Sequence, residues 1–163
     1  MVASLATRTV FDMLQIDPLT SYNYSLYADS ITAGYFTSCD GLGSETDIIS
    51  HEAVDVHGYE YVLKVPGRVK YTDLTLKRGI TTSTDFWNWR LLVEDGHLAE
   101  AVQNATIFMH HQTGIPVAMW ELTNAWPSKI SGPTFGSDAN EIGVEELTIT
   151  FEYFRRKPIR SPF

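Results

Sequence analysis

From Tyr22 to Ala28 the chain alternates. Tyr22, Tyr24, Leu26 and Ala28 fall on one face, and Ser21, Asn23, Ser25 and Tyr27 on the other. Period two predicts a strand. Asp29-Ser30 then reads as a tight turn and Ile31–Thr37 as a second strand, completing a hairpin. Asp40-Gly41-Leu42-Gly43 breaks the chain, and residues 45–63, polar and β-prone with weak alternation, read as an extended or hairpin-like excursion. Pro66-Gly67 reads as a turn and residues 69–78 as a further strand. One helix is predicted next. Thr82, Ser83 and Thr84 offer N-caps, Asp85 suits the first turn, and Gly96 suits the C-terminus. Phe86, Trp89 and Val93 recur at helical spacing, with Trp87 and Leu91 widening the apolar face. Both tryptophans are expected in the core, with an aromatic ligand cage as the alternative. Residues 104–110 and 116–123 form two strands joined through Gln112-Thr113-Gly114. The clearest pattern spans 145–153: Leu147, Ile149, Phe151 and Tyr153 point one way, and Glu146, Thr148, Thr150 and Glu152 the other. A one-residue slip there would put every apolar side chain in water, so the register is firm. About seven strands and one helix make a mainly β, antiparallel sandwich or small barrel, the helix covering one opening or face.

Composition adds limits rather than chemistry. At 163 residues, 44% hydrophobic and 20% charged, the chain is one ordinary domain with a core of its own. Cys39 is the only cysteine, so no internal disulfide forms. No stretch approaches the roughly 20 apolar residues of a membrane span. The start, MVASLATRTVFDMLQ, makes a poor secretion signal, and synthesis in a reducing cytoplasm is the expectation. The organisation reads as an N-terminal arm over 1–19, a β domain over 20–154 and a basic C-terminal tail over 155–163.

Charge is unevenly placed. The net charge is −8, yet Arg155, Arg156, Lys157 and Arg160 crowd the last nine residues with no acid among them. A body this acidic repels a phosphate backbone, which excludes a DNA-reading domain. A second basic cluster, Lys64, Arg68, Lys70, Lys77 and Arg78, reads either as solvated strand charge or as cations that meet the acidic body of a neighbouring copy.

No motif carries catalysis. His51, Glu52 and His57 lack the H-E-x-x-H spacing, and His110 and His111 face opposite sides of a strand, so no metal set is predicted. Asp40 beside Cys39 raises the thiol pKa and makes a poor nucleophile. Gly41 and Gly43 lack the third glycine of a dinucleotide loop, and no G-x-S-x-G elbow is present. No catalytic residue, cofactor or metal is expected. A monomeric module binding a strand at an open sheet edge and a small hydrolase remain as alternatives, the second without a titratable cluster to support it.

Four segments are more specific: KVPGRVKYTDLTLKRGITTSTDFWNW at 64–89, WELTNAWPSKISGPTFGSDANEIGVEELTITFE at 120–152, DPLTSYNYSLYAD at 17–29 and SCDGLGSE at 38–45. Together they resemble the tail-tube proteins of contractile phages and of phage-tail-like contractile injection systems. The resemblance runs from about Asp17 to Phe154; residues 48–63 and the basic end depart from it. It implies a β-barrel-like sandwich flanked by a helix, six copies closing into a ring, and rings stacking into a hollow tube inside a contractile sheath. Implied partners are further copies, the sheath, baseplate and terminal cap proteins, and a protein or DNA cargo in the lumen. The implied location is a particle made in the bacterial cytoplasm and then released or membrane-anchored. Phage and injection system both fit, with a lean to the second.

The resemblance also suggests residue roles. Pro66, Gly67 and Arg68 would turn the chain into a strand carrying Lys70, Tyr71, Leu74, Leu76, Lys77 and Arg78, with Gly79 releasing it. Asn124, Ala125, Trp126 and Pro127 would anchor the sheet, with Trp126 as a buried plug; Trp87, Lys129, Gly132 and Pro133 complete the motif set. The segment from Gly41 to His57 would touch the next subunit or ring, through Asp40, Gly41, Leu42, Gly43, Glu45, Asp47, His51, Glu52, Asp55 and His57, with Arg155 and Arg156 as further contacts. Polar strand faces would line an acidic channel along which an anionic cargo slides.

Overall fold

The computed structural model describes residues 23–29, 31–132 and 143–159; the arm over 1–19, Ser30, Pro133 and Arg160 lie outside the described residues. The elements run β1 (Asn23–Ala28), β2 (Ile31–Phe36), β3 (Ser38–Asp40), β4 (Ser44–Val54), β5 (Glu60–Tyr71), β6 (Leu74–Gly79), α1 (Asp85–Glu94), α2 (Leu98–Ala101), β7 (Gln103–His110), β8 (Pro116–Ser131), β9 (Val144–Thr150) and β10 (Tyr153–Lys157).

Eight strands form one antiparallel sheet in the order β2-β1-β7-β8-β9-β6-β3, with β10 also on β8. The path closes on itself. β3 is the continuation of β2 past a bend at Thr37, whose N–H donates to the Lys77 carbonyl at 2.9 Å. β9 and β10 lie end to end along one edge of β8, with Trp126 opposite Thr150 and Thr123 opposite Tyr153. The result is a small barrel with six staves: β2/β3, β1, β7, β8, β9/β10 and β6. Closure through β3 and β6 shortens the edges that an open sheet would leave, while among the described residues β2 pairs only with β1 and β10 only with β8.

The alternation seen in the sequence decides which side chains enter the barrel. Leu26, Leu74, Leu76, Ile107, Leu122, Leu147 and Ile149 are buried in one cluster with Phe36, Phe86, Trp89 and Phe151. Helix α1 contacts β2 and β8, staves on opposite sides of the ring, and so lies across one mouth. Phe86 sits 5.2 Å from Phe36, ring to ring. Gly34 on β2 permits this approach, because a Cβ there would strike the Phe86 ring. Trp89 is buried and its Nε1–H donates to the Ala101 carbonyl at 2.7 Å, tying α1 to the short α2. The helix ends as expected at Gly96: its N–H donates to Val93 O, and His97 N–H to Leu92 O. Thr84 is the N-cap residue but makes no side-chain capping bond.

Several expectations need correction. Pro66-Gly67 is not a turn; β5 runs through it and carries a bulge there, with Gly67 and Arg68 together opposite Asp47 of the facing strand. Residues 69–78 are not one strand: the ladder is interrupted at Thr72-Asp73 between β5 and β6, though the register carries on across the gap, from Tyr71 opposite Ser44 to Thr75 opposite Asp40. Gly41 makes that packing possible: its φ is +100°, and a side chain would collide with the Asp73 carbonyl. The strand expected over 145–153 stops at Thr150. Phe151 stays inward, but Tyr153 begins β10 and is 40% exposed. Arg155, Arg156 and Lys157 form part of β10, so the basic segment starts as a paired strand and the 154/155 boundary falls inside it. Trp87 and Leu91 lie on the outer side of α1, 39% and 49% exposed, rather than in the core.

The NAWP motif lies within β8, and the residues that point inward are not the one expected. Asn124 takes a φ of +50°, which asparagine tolerates better than most residues, and its N–H donates to Asn104 Oδ1 at 3.2 Å. Ala125 and Pro127 point into the barrel and are buried, while Trp126 between them is only half-buried. The plug in this barrel is Trp89. Pro127 sits at the register shift before Lys129, a position where a strand tolerates the missing N–H.

Candidate assembly surfaces

The β4–β5 hairpin dominates the surface. Its strands, 11 and 12 residues long, form a separate two-stranded sheet. At about 3.3 Å per residue it reaches roughly 35 Å. At its root Tyr71 meets Phe154 and Phe151, with ring centroids 5.5 and 6.2 Å away. Lys70 Nζ donates to Asp47 Oδ1 at 2.8 Å across the exposed bulge. At the tip Asp55 Oδ1 accepts the N–H groups of His57 and Tyr59 at 2.7 and 2.9 Å, closing the turn.

Both faces of this hairpin carry apolar side chains. Ile49, Ala53, Tyr61, Leu63 and Val65 share one face with His51; Ile48, Val54 and Val62 share the other with Glu52, Glu60 and Lys64. Ile48 is 68% exposed and Val56, at the tip, 96%. A lone two-stranded ribbon is marginal in water, so these side chains mark a surface that needs a second protein surface against it. Of the contact residues expected from the sequence, the structure gathers Glu45, Asp47, His51 and Glu52 onto β4 and Asp55 and His57 at the tip. It leaves Asp40, Gly41, Leu42 and Gly43 at the root.

The barrel wall has two contrasting outer faces. One runs across β3, β6, β9 and the end of β8 in two cross-strand rows: Ser38–Lys77–Glu146–Ser131 and Asp40–Thr75–Thr148–Lys129. Every member is polar, and Lys77 pairs with Glu146 at 3.4 Å. Two acids and two bases balance, so this face is not acidic. The other face runs across β2, β1, β7, β8 and β10 as Tyr35–Ser25–Phe108–Met119–Lys157. Tyr27 packs edge-on to Phe108 at 5.5 Å, and Tyr35 is 66% exposed. The alternation in Asn23–Ala28 contained this aromatic face, but its composition drew no notice because tyrosines stand on both sides of the strand.

Behind α1 a polar cluster is sealed in. Arg78 Nε donates to Glu145 Oε2 at 3.0 Å, and Trp87 Nε1–H donates to Glu145 Oε1 at 3.1 Å. The Arg78 guanidinium lies 4.3 Å from the centre of the Phe86 ring. Reading Arg78 as solvated strand charge was therefore wrong: it is buried in the monomer. Alternation along 145–153 does place Glu145 inward with Leu147, a signal available from the sequence.

The strongest catalytic-looking pair is Ser25 Oγ and His110 Nε2, 2.7 Å apart, with His110 Nδ1 at 3.3 Å from the Gly114 carbonyl. Ser25 is fully buried, so no substrate reaches it, and the pair joins β1 to the β7 end as a structural bond. Burial and, secondarily, Asp40 push the Cys39 thiol up to about 12, so it is a poor nucleophile. Among the described residues no three His, Cys, Asp or Glu side chains come together as a metal site.

A family model described as T4-like virus tail tube protein gp19 matches residues 20–155. The chain belongs to the T4-like tail tube protein family. Solved structures agree on the fold of this tube protein. A chain of the PVC extracellular contractile injection system sheath-tube complex in the extended state is 22% identical with a TM-score of 0.68, covering 91% of this chain and 97% of that one. A chain of the sixfold-symmetrised anti-feeding prophage baseplate gives 18% and 0.68, covering 88% and 97%. A chain of the PVC sheath/tube terminator gives 23% and 0.64, with the same coverage. A comparison with curated proteins found no match.

Proposed function

We propose that this tail tube protein builds the inner tube of a contractile injection system, six copies to a ring, with rings stacked inside a sheath. The observation that carries the reading is the β4–β5 hairpin, a long ribbon with apolar side chains on both faces, held to its own barrel only at the root. A contact between a ribbon on one copy and a different surface on the next is heterologous, and such contacts propagate into rings or filaments. The similar solved chains come from assemblies with a sheath, a terminator and a baseplate. By analogy, this tube takes a sheath around it, a baseplate below and a cap above. The subunit is made in the bacterial cytoplasm and ends in a released or membrane-anchored particle.

The polar rows on β3, β6, β9 and β8 are the face assigned to the channel. Balanced charge and small hydroxyl side chains present little for a passing cargo to adhere to. Conduction of DNA in a phage tail is the second reading, favoured by the family model's own description. Negative-stain electron microscopy with native mass spectrometry of the purified chain tests the proposal. Sixfold rings or tubes with a central channel support it. A monomer that never assembles, at any concentration, overturns it.

A further inference from the structure

We infer that the open edge of β10 takes the outer edge of β4 from the neighbouring copy, and that the charges on these two strands favour this pairing and oppose the like-charged ones. The inference rests on the tube reading above, and it names which surfaces meet. Among the described residues β10 pairs only with β8, and β4 only with β5, so each strand leaves one row of backbone N–H and C=O groups unpaired. Such rows are templates for another strand. A cleft of about 610 Å³ opens over the face of the β8–β10 pair that carries Thr123, Glu121, Tyr153, Arg155 and Lys157, with Tyr71 of the hairpin root and Glu152 at its border.

The charges on these strands are one-signed. β10 carries Arg155, Arg156 and Lys157 and no acid; β4 carries Glu45, Asp47 and Glu52 and no lysine or arginine. Asp47 is engaged by Lys70 and Lys157 by Glu121, while Glu45, Glu52, Arg155 and Arg156 make no ion pair among the described residues. β5, the other side of the hairpin, carries Lys64, Arg68 and Lys70 against Glu60. Like charges directly across strands are destabilising and opposite charges favourable. Two β10 edges therefore repel, two β4 edges repel, and β5 is the wrong sign for β10. Of the pairings open to β10, only the one with β4 is complementary. Repelling the like-with-like pairings removes the closed two-fold dimer, which would be a dead end, and leaves a head-to-tail contact that a ring requires.

The test is a pair of charge-reversed full-length chains: Arg155→Glu/Arg156→Glu, and Glu45→Lys/Glu52→Lys. All four side chains are exposed, so both variants should fold, which circular dichroism and the melting temperature of the monomer verify. Each variant alone should yield on the order of tenfold less assembled material than the wild type. Mixed in equal amounts they should assemble again, with the two species alternating at one to one by native mass spectrometry, because each acidic β10 then meets a basic β4 and each basic β10 an acidic β4. Wild-type assembly together with undiminished assembly of either variant alone, or with no recovery on mixing, overturns the inference and leaves the tube reading standing. A wild-type chain that stays monomeric overturns both.

Discussion

Arg78 and Glu145 face each other across β6 and β9 with a 3.0 Å ion pair, both buried under the helix that closes one mouth of the barrel. The second carboxylate oxygen of Glu145 holds Trp87, and the guanidinium lies against Phe86, so one buried pair fixes two side chains of α1. Removing one partner leaves the other charged in an apolar site. Arg78→Ala should cost about 3–5 kcal/mol in urea unfolding of the monomer, and Arg78→Met with Glu145→Leu should recover most of it. A double variant no more stable than Arg78→Ala would show that the pair supplies more than mutual neutralisation.

Trp89 and Trp126 should separate in the same measurement. Trp89 is 1% exposed and hydrogen-bonded to Ala101, so Trp89→Ala should cost roughly 3–5 kcal/mol. Trp126 is half-buried between two inward neighbours, and Trp126→Ala should cost roughly half as much or less in the unassembled chain. Equal losses would mean that the indole of Trp126 carries core packing after all.

Shortening the hairpin separates folding from assembly. Replacing residues 52–62 with a two-residue Asn-Gly turn, which joins the cross-strand partners His51 and Leu63, removes the exposed tip and keeps the bulge and the Tyr71 root. The barrel core, which draws nothing from that tip, should melt within a few degrees of the wild type, and rings should be lost on electron micrographs. Tubes of normal appearance from the shortened chain would remove the hairpin from the assembly.

Cys39 gives a pH signature. Its thiol, pushed up to about 12 mainly by burial, is protonated in the folded chain where the unfolded chain, at the ordinary 9.0, begins to ionise. The raised folded pKa contributes stability in full below pH 9.0, and that contribution is lost as pH climbs from 9.0 through about 12. Wild type should therefore lose more stability than Cys39→Ala between pH 8 and pH 11. At pH 8 the native thiol should also react with iodoacetamide on the order of a hundredfold more slowly than the thiol in urea. Equal alkylation rates would place the thiol in water.

Much of the wall was legible because its code is local. Alternation along 23–28 and 145–151 needs only neighbouring residues, and burial of Leu26, Leu147 and Ile149 follows from it. Helix α1 was legible through its acidic first turn and Gly96. The misreadings share a cause. Pro66-Gly67 has a turn's composition, yet a bulge and an open edge let a strand carry it. Trp87 fits a helical apolar face, yet only its Nε1–H reaches inward, to Glu145 58 residues later, and the ring stays 39% exposed.

By itself, then, the amino-acid sequence determined the β periodicity, the placement of the helix, the one-signed charge on 155–157 and the tail-tube motifs, since each is a matter of composition and spacing within one segment. Only the tertiary structure decided that the staves close into a barrel, that Arg78 is inside and Trp126 half outside, and that 44–71 stands off as a ribbon. Those outcomes depend on which distant strand lies alongside, and the contacts that select it join residues tens of positions apart.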